Sequence, residues 1–106
     1  MDIVWGAGIY EGEGTCGRWP SSEIVAVGQK DRWILDRMQT LFGGRVAKRI
    51  KHYNNQNYTM HTWTVCGVRA RGFLMTIYKF LSPRRQEQVR ITLGKQEKEH
   101  LTLTHV

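Results

Sequence analysis

The first fourteen residues, Met1-Asp-Ile-Val-Trp-Gly-Ala-Gly-Ile-Tyr-Glu-Gly-Glu-Gly14, restrict what this chain can fold into more than any other stretch. They start apolar, become crowded with glycine, and finish on two carboxylates, Glu11 and Glu13, one residue apart. Read as a helix, Ile3 to Gly12 carries Gly6, Gly8 and Gly12, each costing roughly 0.8–1 kcal/mol against alanine in a helix interior. Such a helix does not stand alone. Its glycines make sense where the backbone must approach another backbone closely and where the helix end must deliver Glu11 and Glu13 into a tight place.

With 106 residues the chain reads as one domain spanning 1–106, large enough for a packed core and small enough for a second subunit to complete it. Its two cysteines, Cys16 and Cys66, form no CxxC pair and read as free intracellular thiols rather than a disulfide or zinc framework. No apolar run reaches the eighteen or so residues of a membrane span, and the N-terminus lacks a basic region and cleavage site. An intracellular, non-membrane protein is expected, in the cytoplasm or nucleoid of a prokaryotic or phage-infected host, or in an organelle. The formal charge of +7 is unevenly spread: residues 1–28 carry a net −3 and the remainder +10. A small acidic spot in a basic protein suits a metal-dependent nuclease, because the basic bulk attracts phosphate while carboxylates hold a cation. A basic domain whose charges merely solvate it is the plainer alternative.

Further along, Thr15 to Trp19 can form a short strand, Pro20-Ser-Ser22 a turn, and Ile24-Val-Ala-Val27 a β run ended by Gly28. Asp31 is an N-cap candidate for a helix that buries Ile34, Leu35, Met38, Leu41 and Phe42 and stops at Gly43-Gly44. Arg45 to Tyr53 and Tyr58 to Val65 read as a hairpin about the polar tip Asn54-Asn-Gln-Asn57, one face apolar and the other bearing arginine, lysine and threonine. Ala70, Phe73, Leu74, Ile77, Tyr78 and Leu81 mark a second amphipathic helix. Ser82-Pro83 restarts the chain as a basic helix expected to end near Gly94, with a tail that is either a further helix or an extension. The order is α-β-β-α-β-β-α followed by a small helix.

Gly6-Ala-Gly-Ile-Tyr-Glu-Gly-Glu-Gly14 resembles the signature of the LAGLIDADG homing endonucleases. The resemblance continues, in the family's order, through Val27-Gly-Gln-Lys-Asp31, the Leu41-Phe-Gly-Gly44 helix stop, the Tyr58 to Val65 strand and Phe80-Leu-Ser-Pro-Arg-Arg-Gln86. It implies an α+β fold with an αββαββα core, an antiparallel sheet forming a saddle, and helices packed on one of its faces. With one motif in the chain, it implies a homodimer whose motif helices meet at Trp5, Gly8, Ile9 and Gly12, acting on double-stranded DNA with a palindrome-like target and no small-molecule substrate. In the family such enzymes serve intron or intein mobility.

Residue by residue, the resemblance makes Glu13 the carboxylate that holds Mg²⁺, with Mn²⁺ or Ca²⁺ able to take the same site, and places the Gly12 carbonyl near that ion. Glu11 matches an acid that anchors or ends the helix. Gln29 matches a polar residue near the active centre that orients water, and Arg84 falls where a basic group approaches the scissile phosphate; Arg85 could serve instead. Arg32 is a weaker candidate for the same basic pocket. Arg18, Arg45, Arg49, Lys51, Thr62 and Thr64 are the outward residues expected at DNA, some reading bases and others touching only phosphate or water. A non-cleaving relative, acting as a regulator or as an RNA maturase, is the competing reading. Gly8-Ile9-Tyr10 spells half of another nuclease signature, but no Tyr-Ile-Gly follows it. His52, His61, His100 and His105 have no metal-ligand spacing.

Overall fold

The computed structural model describes residues 2–18 and 22–105, with side chains described as far as Gly94. Trp19 and the turn residues 20 and 21, as well as the side chains of the tail, lie outside the described residues. The elements run α1 (Asp2–Glu13), β1 (Gly14–Arg18), β2 (Glu23–Gln29), α2 (Arg32–Phe42), β3 (Arg45–Tyr53), β4 (Gln56–Cys66), α3 (Gly67–Ile77), a 3₁₀ turn (Tyr78–Phe80) and α4 (Pro83–His105). The four strands form one antiparallel sheet in the order β1-β2-β4-β3. This is the expected α+β arrangement of αββαββα with a closing helix.

Alternation along the strands decides which sheet face is covered. Val25, Val27, Trp63 and Val65 point to the side on which α1, α2 and α3 pack, and all four are buried. Phe73 of α3 is the hub of that core. Its ring meets Tyr10, Phe42 and Trp63 edge-on at centroid distances of 6.2, 5.0 and 5.1 Å, an arrangement in which each ring edge faces a π cloud. Three elements are thereby joined through one side chain. The Trp63 indole N–H, otherwise stranded in this apolar setting, donates to the Gly43 carbonyl at 2.7 Å.

That bond requires the chain to leave α2 at a fixed angle. Gly43 and Gly44 take φ values of 76° and 96°, and the Gly43 amide closes the helix by donating to the Gln39 carbonyl at 2.8 Å. A methyl group at Gly44 would sit 2.5 Å from Val65 Cγ1 and 2.7 Å from the Thr64 carbonyl, so conformation and space both require glycine there. At the other end of α2, Asp31 occupies the N-cap position with extended backbone, but its side chain makes no capping hydrogen bond. The hairpin tip is tighter than the sequence suggested. Tyr53 pairs with Gln56, and only Asn54 and Asn55 turn, both at positive φ, as a two-residue hairpin turn of the primed type demands.

Two expectations are corrected at the C-terminal side. Leu81 lies beyond α3, which gives way to the 3₁₀ turn at Tyr78, although Leu81 is still buried. Gly94 does not end the last helix, which continues to His105; a single glycine costs a helix about 1 kcal/mol, too little by itself to stop it.

The glycines of the opening stretch divide by neighbour. A methyl at Gly6 would lie 2.6 Å from the Phe42 ring, so Gly6 serves contact inside the chain, whereas Gly8 and Gly12 have nothing within 4 Å of that position among the described residues. At Gly14 a methyl would fall 2.2 Å from the ring of Tyr10, which is fully buried. Gly14→Ala is therefore expected to destabilise the fold by ~1–3 kcal/mol, the usual cost of overpacking a core. Urea denaturation measures it, and a variant as stable as the parent would show that the Tyr10 ring is free to move.

Candidate nucleic-acid and metal site

The two carboxylates that end α1 have different surroundings. Glu11 is consumed within the chain: it accepts the Ser82 amide at 2.6 Å and the Ser82 hydroxyl at 3.0 Å, and its Oε2 lies 3.6 Å from Arg85 Nε. Ser82 in turn accepts the Arg85 amide on its hydroxyl at 3.4 Å, which makes it the N-cap of α4. The Ser82 amide, followed by its hydroxyl and by the Arg85 and Arg84 charges, holds the Glu11 carboxyl below its usual range against the opposing effect of burial. Glu13, two residues on, is exposed.

Sheet register places Glu13 among the other candidates. Gly14 pairs with Val27, so the chain before it leaves the sheet at the end where β2 delivers Gly28 and Gln29. Gln29 is half-buried and pairs with His61, whose Nδ1 lies 3.1 Å from the Lys30 carbonyl. Arg32 starts α2 just beyond, exposed and bridged to Asp36 at 3.3 Å. Glu13, Gln29 and Arg32 thus share one end of the sheet.

Arg84 and Arg85, indistinguishable in sequence, separate in the structure. Arg84 is exposed. Arg85 is turned inward with its side chain 12% exposed, donates to the carbonyls of Glu11 and Gly14 at 3.2 and 2.7 Å, and lies 5.5 Å from the Tyr10 ring. Burial, and then the neighbouring Cys16, push the Tyr10 phenol upward, so it stays neutral beneath that cation.

The open face of the sheet gathers the long polar side chains. Arg45 pairs with Thr64, Arg49 with Met60 and Lys51 with Tyr58, and Thr62 stands opposite Ala47, so all of these point to the same side. The arginines and the lysine are exposed. Toward the middle of the sheet the same face is floored by Thr15, Gly17, Ile24, Ala26 and Gly28, all but Ile24 small. Arg18 does not belong there. It pairs with Glu23, shares the helix-covered face, and has an 8% exposed side chain 3.7 Å from the buried Glu23 carboxylate, which Arg71 also approaches at 3.4 Å. A buried carboxylate needs such cations, and this one draws Arg18 inward. The face also carries Tyr53, Gln56, Tyr58 and Met60, which sequence reasoning passed over; carrying the parity of Thr62 and Thr64 back along β4 would have found the last three.

The open side of α1 bears Val4, 52% exposed, with Gly8 and Gly12 exposed beside it. Trp5 and Ile9 are half-buried, Trp5 beneath the Arg37 guanidinium at 4.7 Å.

Among the described residues no three His, Cys, Asp or Glu side chains gather closely enough to hold a metal. No helix among them is long and apolar enough to cross a membrane. No family model and no curated protein matches the chain in sequence. In structure the chain is similar to an archaeal intron-encoded homing endonuclease, I-Vdi141I, solved in complex with DNA: the match covers 93% of this chain and 71% of that one, with a TM-score of 0.64 and 19% identity. The chain has a homing-endonuclease fold. At that identity the likeness is one of fold, and it agrees with the LAGLIDADG resemblance read from the motif order. Within the homing-endonuclease fold, the motif helix is α1 and the open sheet face is that of β1-β2-β4-β3.

The Glu11 link has a pH signature. A carboxyl held below its ordinary value stabilises the fold above that value, near 4.5, and the contribution is lost as pH falls through the lower folded-state value. Glu11→Gln is expected to weaken the fold at neutral pH and to flatten the acid limb below about pH 4.5. Urea midpoints across that range test it; acid limbs that run parallel would remove Glu11 as the titrating anchor.

Proposed function

We propose that the protein is a site-specific, Mg²⁺-dependent double-strand DNA endonuclease acting as a homodimer. The observation that carries this is the division of labour at the end of α1: Glu11 is tied down by Ser82 and Arg85 while Glu13 stays exposed at the mouth of the open helix face. The fold, in which the structural relative was captured on DNA, supports the same reading.

The donors fit a hard cation in kind. Glu13 supplies a carboxylate and Gly12 a carbonyl at the helix end, where the last carbonyls lack intrahelical partners. They fall short in number, which suits a site completed by a second copy and by phosphate oxygens. When bound there, Mg²⁺ would polarise the scissile phosphate and acidify an attacking water. In this reading Gln29, at the same end of the sheet, orients that water, and Arg84, exposed at the start of α4, meets the phosphate.

The β3–β4 hairpin is a two-stranded ribbon of the kind that enters a major groove. Arg45, Arg49 and Lys51 on its open face supply phosphate attraction and guanine contacts, with Thr62, Thr64, Gln56 and Tyr58 as neutral readers. Arg18, held by Glu23, contributes to the frame instead. For the dimer, Val4, Gly8 and Gly12 give an apolar surface low enough for a second α1 to approach, with Trp5 and Ile9 at its margin.

Glu13→Gln is expected to reduce cleavage at least ~100-fold with DNA affinity kept, since metal-borne charge stabilisation is worth several kcal/mol. A variant that cuts at the parental rate would take Glu13 out of the chemistry. The Cβ of Gly8→Leu has no described atom within 4 Å and the substitution gains helix propensity, so the variant should fold at least as well as the parent yet be monomeric by light scattering. A dimer that survives the leucine would place the interface elsewhere. Selection of cleaved sites from a randomised duplex library with Mg²⁺ tests the reading as a whole: a palindrome-like consensus is expected, and duplexes that are bound but never cut would favour the non-cleaving binder.

A further inference from the structure

Helix α1 passes into strand β1 with no intervening loop: Glu13 is the last helical residue and Gly14 the first of the strand. The last helical carbonyls, that of Glu11 among them, have no intrahelical partner, and Gly14 already pairs with Val27, so the step between helix and strand needs something to bridge it. One side chain from the other end of the chain spans that step. Arg85 donates from Nε to the Glu11 carbonyl at 3.2 Å and from Nη1 to the Gly14 carbonyl at 2.7 Å, and these two carbonyls flank the peptide units of Gly12 and Glu13.

The guanidinium is itself fixed. Nη1 also donates to Gln88 Oε1 at 3.2 Å, Glu11 Oε2 is 3.6 Å from Nε, and the fully buried Tyr10 ring lies 5.5 Å away while crowding Gly14 from within. A planar fork held in this way fixes the direction of both its bonds, which a lysine ammonium on a flexible stem does not. Arg85 is therefore spent on backbone, while the adjacent Arg84 is exposed to solvent.

We propose that Arg85 is a positioning residue for the metal site: its two-carbonyl grip sets the turn that presents the Glu13 carboxylate and the Gly12 carbonyl. This rests on the nuclease reading above, and the measurements separate the two. Arg85→Lys keeps the charge and loses the fork; Arg85→Gln keeps one donor and loses the charge. Amide hydrogen exchange over the full chain is expected to rise about tenfold at residues 12–14 in both variants, with the core amides unchanged, as local opening would produce. Mn²⁺ affinity, followed by water-proton relaxation, should fall about tenfold in Arg85→Lys, the range typical for loss of a group that orients a metal ligand. On a cleaved duplex, kcat should fall while KM moves less than about twofold, because DNA contacts are untouched.

Unchanged exchange at residues 12–14 would overturn the proposal. So would raised exchange with parental Mn²⁺ affinity and kcat, or unfolding of both variants, either of which would make the grip purely structural. If Mn²⁺ binding by the parent protein survives Glu13→Gln, the metal-site reading itself fails and takes the positioning role with it; exchange in the Arg85 variants would still report whether the grip exists.

Discussion

The structure depends on how the end of α1 is satisfied. A helix that runs straight into a strand strands its last carbonyls and, in this chain, a carboxylate close to them. The groups that answer are seventy and more residues away: the Ser82 amide and hydroxyl for Glu11, and the Arg85 fork for the carbonyls of Glu11 and Gly14. Because Ser82 is also the N-cap of α4, one cluster of hydrogen bonds terminates the first helix, starts the last, and fastens both to the edge of the sheet. The contacts are charge-assisted and partly shielded from water, conditions under which such bonds are worth more than surface ion pairs.

Much of this was legible from residue patterns. The apolar spacing of Ala70, Phe73, Leu74 and Ile77 gave α3, Gly43-Gly44 gave the end of α2, and Ser82-Pro83 gave the start of α4, because periodicity and capping are local physics. The identity of Glu11 as an anchor came from the motif order and is now accounted for by its partners. What the sequence concealed was set by distant partners. Arg18 reads as an outward strand residue until Glu23 is seen buried beside it, and Arg84 and Arg85 read alike until the direction of the helix start separates them. The extent of α4 past Gly94 was misjudged by giving one glycine the power to stop a helix.

The charge asymmetry of the sequence becomes a spatial one in the fold. The net positive charge of residues 29–106 is concentrated in part on one hairpin face, while the four acids of the first 28 residues split between buried pairing at Glu23, internal anchoring at Glu11, a surface pair with Arg37 at Asp2 and exposure at Glu13. Of these, burial is the costly choice, met at Glu23 by two arginines, whereas an exposed carboxylate such as Glu13 keeps its water and neither costs nor adds stability.

Strand β3 has a further consequence. It is one of the two edge strands of the sheet, nine residues long, and among the described residues one of its two rows of backbone donors and acceptors has no neighbouring strand to pair with. Strands of that length invite association with other chains, and natural proteins discourage it with charge. Here Arg45, Arg49 and Lys51 on one face and Lys48 on the other supply that charge, so the side chains that suit a phosphate backbone also discourage edge-to-edge pairing. Resurfacing β3 with neutral or apolar residues would remove this protection and bring the risk of aggregation.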